Sequence, residues 1–450
     1  MQESSFGGGA LVMNTKNKAF STRGYYMIMS RTQAWGLEDW KTFVNCMAED
    51  GCNFLILWLG GGFPSKKFPE TWQYNIANRN VRENFASKVI DHAHDLGIEV
   101  VLGFTPHAYD GVNQFGMTHP DCAARKADGS ITPVLGIHSM GRMLCPTKPA
   151  VQDFMYEYIH EMLFDFYPNA DGLFFEYSDY GHCECPECQE RYFEHEWGFI
   201  SRISSEIWAA RPEARMVIYP QYYQKGVAEP DCRYTLFFTT HSTEITPDVR
   251  DLECEKLYWQ MAFGEPLENL RTAARVAANE HMQGFVVSME AFSHEGEVNG
   301  RKLTFEPYDV TWKREGVFPF DDLIPKVLRW GFRICTESPL AGDEEFARRM
   351  ALEVFGNEND LGAAKDLLTL FELVQSGYRD FALRNALVHP EDFERIYTED
   401  RRAEALAGFR QQLQVVRRIA SEYKGKEGNF GEMSHVAQWI ADRWENMGLV

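Results

Sequence analysis

Glu176 and Glu290 each close or nearly close an apolar run, GLFFEYS at 172–178 and GFVVSME at 284–290, and Asp179 follows Glu176 by three residues. Apolar neighbours disfavour the charged form of a carboxyl group, which raises its pKa and suits it to deliver a proton. Leu173, Phe174 and Phe175 put Glu176 in that setting. Cleavage of a glycosidic bond needs two carboxyl groups, one as acid and one as base or nucleophile. Glu176 is the candidate acid, and Asp179 and Glu290 are candidates for the second catalytic role. Sugars stack their C–H faces on aromatic rings and pair their hydroxyls with carboxylates, amides and Arg. Tyr177, Tyr222 and Trp259 offer rings near the ends of apolar runs, and His107, His138, Arg142 and His241 offer polar contacts. Structural roles for the same residues stay open. Glu176 could pair with an Arg, Asp179 could serve the turn before Gly181, and a lone His is commonly a structural hydrogen-bond partner. Trp259 could belong to the core.

A second chemistry-bearing pattern lies just beyond Glu176. His182, Cys183, Cys185 and Cys188 form HCxCxxC. The Cys-x-x-Cys spacing suits tetrahedral zinc, with His182 or Cys145 completing the set. In that reading the metal is structural and the chemistry needs no cofactor. A disulfide within the cluster and free thiols are the alternatives. The chain has 10 cysteines, and Cys46, Cys52, Cys232 and Cys335 stand singly in apolar settings. They read as reduced, buried thiols, which predicts a cytoplasmic setting.

Strand-end groups act together only if the strands deliver them to one place. Runs at 24–30, 53–59, 99–105, 172–178, 216–222, 234–240, 256–262 and 284–290 read as strands. Between them, apolar residues recur at helical spacing. Leu37, Trp40, Val44 and Met47 mark the first such helix, and others are expected over about 79–97, 149–167, 186–210, 267–281 and 320–333. The strand runs are apolar without clean alternation, as in a parallel sheet covered on both faces. This predicts an α/β fold, a (β/α)8 TIM barrel over residues 21–338, after an extension at 1–20 and before a C-terminal α-helical domain at 339–450. In such barrels the active site lies at the C-terminal ends of the strands. The loop at 106–147, carrying His107, Asp110, Asn113, His138 and Arg142, would wall off one end of that site and favour action on a terminal sugar.

Composition narrows the partners. A formal net charge of −21 repels phosphate backbones, so no nucleic acid is expected. No window approaches a membrane-spanning apolar run. The opening MQESSFGGGALVMNTKNK lacks the basic and apolar regions of a signal peptide. A carbohydrate, as oligosaccharide or glycoconjugate, is the expected partner, and homo-oligomerisation is left open.

RGYYMIMSR at 23–31 resembles the first-strand signature of family 20 β-N-acetylhexosaminidases: an Arg-Gly pair, an Asp, then Ser-Arg. Arg23, Gly24, Ser30 and Arg31 fit, while Ile28 stands at the Asp position. GCNFLILWL and FPETW continue the likeness. The segment from LCPTKPAV to CECPECQERY is similar to a wider group of barrel glycosidases that pair a Cys-Pro segment with a CxCxxC after the fourth strand. The likeness covers roughly residues 20–190. It implies that Arg31 binds hydroxyls of the terminal sugar and that Glu176 is the acid. Family 20 enzymes end the fourth strand with Asp-Glu, the Asp orienting the substrate's acetamido group. Here the pair is Phe175-Glu176, so the second catalytic group must come from elsewhere, and an inverting route is favoured. The competing readings are a metal-dependent barrel hydrolase and a carbohydrate-binding barrel without activity.

Overall fold

The computed structural model describes residues 18–29, 32, 35–76, 78–109, 111–134, 141–178, 181–239, 247–260, 267–289, 297–298, 301–302, 322–375 and 399–446. The apolar runs pair side by side as parallel strands. They are β1 (Thr22–Ile28), β2 (Phe54–Trp58), β3 (Glu99–Phe104), β6 (Gly172–Phe175), β7 (Arg215–Ile218), β8 (Tyr234–Thr239), β9 (Lys256–Gln260) and β10 (Gly284–Ser288). They close into an eight-stranded barrel in the order β1-β10-β9-β8-β7-β6-β3-β2. The (β/α)8 expectation is borne out.

Period-2 alternation sorts each strand's side chains between two apolar environments. Tyr25 and Met27 of β1, Leu55 and Leu57 of β2, and Leu173 and Phe175 of β6 face the helices. Tyr26 and Ile28, Phe54, Ile56 and Trp58, and Phe174 fill the lumen. Neither face meets water, so neither needs polar residues. Gly103 is a glycine because the Trp58 indole lies over it: an added Cβ would sit 1.9 Å from Nε1. Arg215 closes the bottom of the lumen, with Nη1 2.6 Å from Glu99 and its guanidinium 4.5 Å over the Phe54 ring.

The outer layer includes α1 (Leu37–Glu49), α2 (Glu70–Gln73), α3 (Arg79–Glu83), α4 (Ala86–Asp95), α5 (Val112–Thr118), α6 (Pro149–His160), α7 (Tyr192–Ala210), α8 (Gln221–Gln224), α9 (Pro247–Arg250), α10 (Leu267–Asn279) and α11 (Leu323–Glu337). Arg329 of α11 is buried and donates to Asp50 at the end of α1 over 2.7 Å, and Tyr25 donates to the same carboxylate over 2.7 Å. This pair ties the closing helix to the first βα unit.

Four expected elements differ, the first being the strand expected over 216–222, which ends at Ile218 and gives way to the short helix α8 at Gln221. The helix expected over 79–97 is two, because Asn84 is left-handed (φ 47°) and the Asn80 side chain accepts from both Phe85 and Ala86 N–H over 2.8 Å. A side-chain amide here replaces the helical ladder and starts α4 anew. The helix expected from 186 begins at Tyr192, because residues 185–191 turn tightly, with Cys188 and Gln189 N–H bonding the Cys185 carbonyl. The long third loop carries α5 and a two-stranded hairpin, β4 (Pro133–Val134) with β5 (Gly141–Arg142).

Beyond Ser338 come α12 (Asp343–Phe355), α13 (Leu361–Gln375), α14 (Glu399–Glu422) and α15 (Gly428–Asn446). The C-terminal region is made of helices joined by short turns among its described residues, as expected. Its apolar core runs on continuously from that between barrel and helices. Arg271 of α10 reaches Asp343 over 2.7 Å, and Glu372 of α13 accepts from Leu267 N–H over 2.8 Å.

Cys232 and Cys254 form a disulfide between the segments leading into β8 and β9, which corrects the expectation of a thiol at Cys232. Cys46, Cys52 and Cys335 are buried thiols as expected. Disulfides persist in oxidising compartments, so the cysteines no longer argue for the cytoplasm. Among the described residues no helix is long and apolar enough to cross a membrane.

Candidate active site

Alternation along β6 decides where the candidate acid goes. Phe174 faces the lumen and Phe175 the helices, so Glu176 follows Phe174 into the barrel mouth. Its backbone N–H continues the ladder to the Phe104 carbonyl over 2.9 Å. Its side chain is half-buried. Tyr26, one position inside the mouth on β1, donates its hydroxyl to Glu176 Oε2 over 2.9 Å. The Tyr26 ring is itself wedged, 5.3 Å from Trp259, 6.2 Å from Trp58 and 6.5 Å from Phe174 between centroids. Packing therefore holds the hydroxyl that orients the carboxyl.

The floor of the mouth is aromatic. Tyr26, Trp58, Tyr219 and Trp259 form its upper lumen layer, and Tyr109 and Tyr177 pack against it from the loops. Four polar atoms on inward-facing residues, Trp58 Nε1, Trp259 Nε1, Thr105 Oγ1 and Ser288 Oγ, are buried without a hydrogen-bond partner among the described residues. All four residues share the inward parity of their strands. Trp259 takes the ring role proposed for it only as part of this floor, since it is 5% exposed.

Two other expected contacts lie behind the wall. His107 has 0% exposure and Tyr222 has 2%, so neither side chain can meet a sugar. Tyr222 donates to Glu196 Oε2 over 2.7 Å, and Tyr192 donates to Glu196 Oε1 over 3.0 Å. His107 Nδ1 stands 4.0 Å from Glu196 Oε1, and both ring nitrogens lack a hydrogen-bond partner among the described residues. Burial pushes the Glu196 carboxyl up to about 7, against the pull of the two tyrosine hydroxyls. Burial likewise pushes His107 down to about 4. Both are thus held neutral near pH 5.5, although their separation is that of a long ion pair. His107 adopts φ 65°, a left-handed conformation that costs a non-glycine residue free energy, and it turns the chain from β3 into the third loop.

Tyr177 is half-buried and stacks on Phe193 at 6.0 Å and 10°. Arg142 belongs to the β4–β5 hairpin, where Nη1 reaches the Gly116 carbonyl at 3.4 Å. Arg23 sits at the opposite end of β1, buried and bonded to the carbonyls of Gly51, Phe20 and Ser21, so the Arg-Gly half of the signature closes the barrel bottom. Arg31, His138, Asp179, His241 and Glu290 lie outside the described residues.

Of the two residues expected to complete the cysteine cluster, Cys145 does so and His182 does not. The sulfurs of Cys145, Cys183, Cys185 and Cys188 lie within 4.8 Å of one another. His182 is no part of that group, which corrects its place among the expected ligands. Its ring instead packs 5.1 Å from Tyr192 and 6.2 Å from Phe193.

Tyr26, Trp58, Tyr219, Ser288 and Glu196 are site or support residues that sequence reasoning missed. For those on strands a signal existed: counting back in twos from a strand-end residue finds the side chains on the same face.

A scan against protein-family models and a search of curated proteins each return no match. Solved structures do match. A GH138 enzyme targeting pectin rhamnogalacturonan II superposes with a TM-score of 0.57 at 11% identity over 96% of this chain. This chain spans 57% of that enzyme's length. A β-N-acetylhexosaminidase from Bacteroides fragilis gives 0.50 at 13% identity, covering 77% of this chain and 72% of its own. Another β-N-acetylhexosaminidase gives 0.51 at 13% identity, covering 75% and 76%. At these identities the likeness is one of fold, and at that level the resemblance to family 20 barrels is borne out.

Proposed function

We propose that the chain is a glycoside hydrolase that removes a terminal sugar, with Glu176 as general acid. The observation that carries this reading is the Tyr26 hydroxyl holding Glu176 Oε2 at 2.9 Å, at the C-terminal end of the fourth barrel strand and over an aromatic floor. The half-buried Tyr109 and Tyr177 rings packed on that floor suit a sugar's C–H face. Solved barrels of similar fold include glycoside hydrolases, which supports the class.

Glu176 would protonate the leaving-group oxygen as the glycosidic bond breaks. For the second group we favour Glu290, which follows Met289 at the end of β10. In the ring order β10 stands four strands from β6 in either direction, directly across the barrel. A carboxylate there suits the wide separation of about 6.5–9.5 Å that admits a water and inverts the anomeric centre. Asp179 is the alternative, and it would suit the shorter spacing of a retaining enzyme. Arg31 is proposed to bind hydroxyls of the terminal sugar. No cofactor enters these steps.

A panel of aryl and natural glycosides tests the reading. Turnover that Glu176→Gln abolishes on natural glycosides supports it. Binding without turnover across the panel would instead make the barrel a carbohydrate-binding one. NMR of the first-released anomer separates Glu290 from Asp179: a product that keeps the substrate's configuration refutes the inverting route.

A further inference from the structure

We infer that Cys145, Cys183, Cys185 and Cys188 hold one structural zinc ion that clips the third and fourth barrel loops together. Zinc binds thiolate sulfur at about 2.3 Å in a tetrahedron, whose edges are then about 3.8 Å. Cys145 Sγ lies 3.8 Å from Cys185 Sγ and 3.8 Å from Cys188 Sγ. The longest spacing in the group is within 4.8 Å. Four sulfurs thus already stand close to the corners that the ion requires. Cys145 comes from a segment 40 residues before Cys185, so the arrangement is built by the fold and not by local spacing alone.

The surroundings fit a metal held for structure. Cys145, Cys183 and Cys188 are buried, and Ala108, Ala124, Val134, Met143 and Tyr192 form an apolar jacket around them. The Arg125 backbone N–H points at Cys183 Sγ at 3.4 Å, and Thr147 Oγ1 is 3.1 Å from Cys145 Sγ. Such contacts orient and temper metal thiolates. Four protein sulfurs fill a tetrahedral zinc and leave no position for water, so the ion would be a fastener and not a reagent. Sulfur tetrahedra also take iron, but between the divalent ions this donor set favours zinc. Cys232 and Cys254 show that this chain joins a cysteine pair where a disulfide belongs, whereas Cys145 stands 3.8 Å from two partners at once.

The ion would fasten the loop that carries Cys145 to the segment that runs from Glu176 to α7. The Glu184 N–H bonds the Arg125 carbonyl over 2.6 Å, and the Glu184 side chain accepts from Ala127 N–H over 2.9 Å along the same seam. Six positions, 177–182, separate Glu176 from Cys183, the first cluster residue of that segment.

The test uses the full chain purified without chelator. Elemental analysis should find one zinc per chain, and X-ray absorption at the zinc edge should show four sulfur neighbours and no nitrogen. Cobalt exchanged into the site should give the visible bands of a tetrahedral tetrathiolate. Because Cys188→Ser could fail to fold, native protein is also alkylated with and without a chelator and mapped by mass spectrometry. The four cysteines should be protected until the metal is removed, and Cys185→Ser should lose zinc and lower Tm. Stoichiometric iron, disulfides among the four, ready alkylation of all four in untreated protein, or full zinc retention in Cys185→Ser would each overturn the inference.

Discussion

Replacing Glu196 with Gln should expose the pH dependence of its buried neighbour His107, which Glu196 conceals in the unmutated protein. Glu196 has its pKa raised from 4.5 to about 7 and His107 has its pKa lowered from 6.5 to about 4, each chiefly by burial. Between about pH 4.5 and 6.5 the folded pair carries one proton, on Glu196, and the unfolded chain also carries one, on His107. Equal proton counts mean that this pair contributes little slope to stability there. The two separate effects have opposite signs. The contribution of Glu196 is fully present below pH 4.5 and is lost as the pH rises through 7. That of His107 is present above pH 6.5 and is lost as the pH falls through 4. Each shift spans about 2.5 units, or about 3 kcal/mol at 1.36 kcal/mol per unit. Glu196→Gln removes the first effect and leaves the second, so its stability relative to wild type should fall by about 3 kcal/mol as the pH drops from 7 to 4. His107→Asn should do the reverse, losing about as much between pH 4.5 and 7, and Asn tolerates the φ of 65°. The double variant should be flat again. Urea unfolding followed by tryptophan fluorescence at half-unit pH steps measures this. Any constant cost of burying a Gln amide cancels from the slope. A Glu196→Gln variant whose difference from wild type is the same at pH 7 and pH 4 would refute the assignment of two buried neutral groups.

Glu176→Gln should lower turnover of a natural glycoside by about 10²–10⁴-fold, and less for a substrate with a good leaving group, as paired kinetics will show. Tyr26→Phe keeps the ring packed between Trp58 and Trp259 but removes the donor to Glu176. It should cost about 1.5–3 kcal/mol in kcat/KM with Tm nearly unchanged, and move the alkaline limb of the pH profile upward. Arg329→Met leaves Asp50 buried without its cation and should cost about 3–5 kcal/mol by denaturant unfolding, while Arg329→Met with Asp50→Leu should recover most of it. Gly103→Ala drives a methyl into the Trp58 indole and should cost about 1–3 kcal/mol, with activity falling alongside as the mouth floor shifts.

Local pattern carried a great deal of this protein. Strands and barrel helices could be read from runs such as FLILW and from the 3.6-residue recurrence of Val151, Met155 and Tyr158, because those periods report which faces are dry. The same pattern placed Glu176 at a strand end, while its place on the inner face follows from the parity with Phe174 that the folded strand shows. CxCxxC was legible as a cluster because three of its sulfurs are close in sequence. Tertiary structure decided everything that depends on which distant segments meet. Tyr26 bonds a carboxylate 150 residues away because barrel closure brings the ends of β1 and β6 to one mouth. Cys145 displaces His182 from the cluster because the third loop folds back over the fourth, while the imidazole turns to Tyr192 and Phe193. His107 and Tyr222 stand near strand ends, yet α7 covers them, and burial makes them supports of the wall. The pairing of Cys232 with Cys254 has the same origin. A one-dimensional period encodes a face, whereas a contact between elements depends on register, closure and the packing of what lies between.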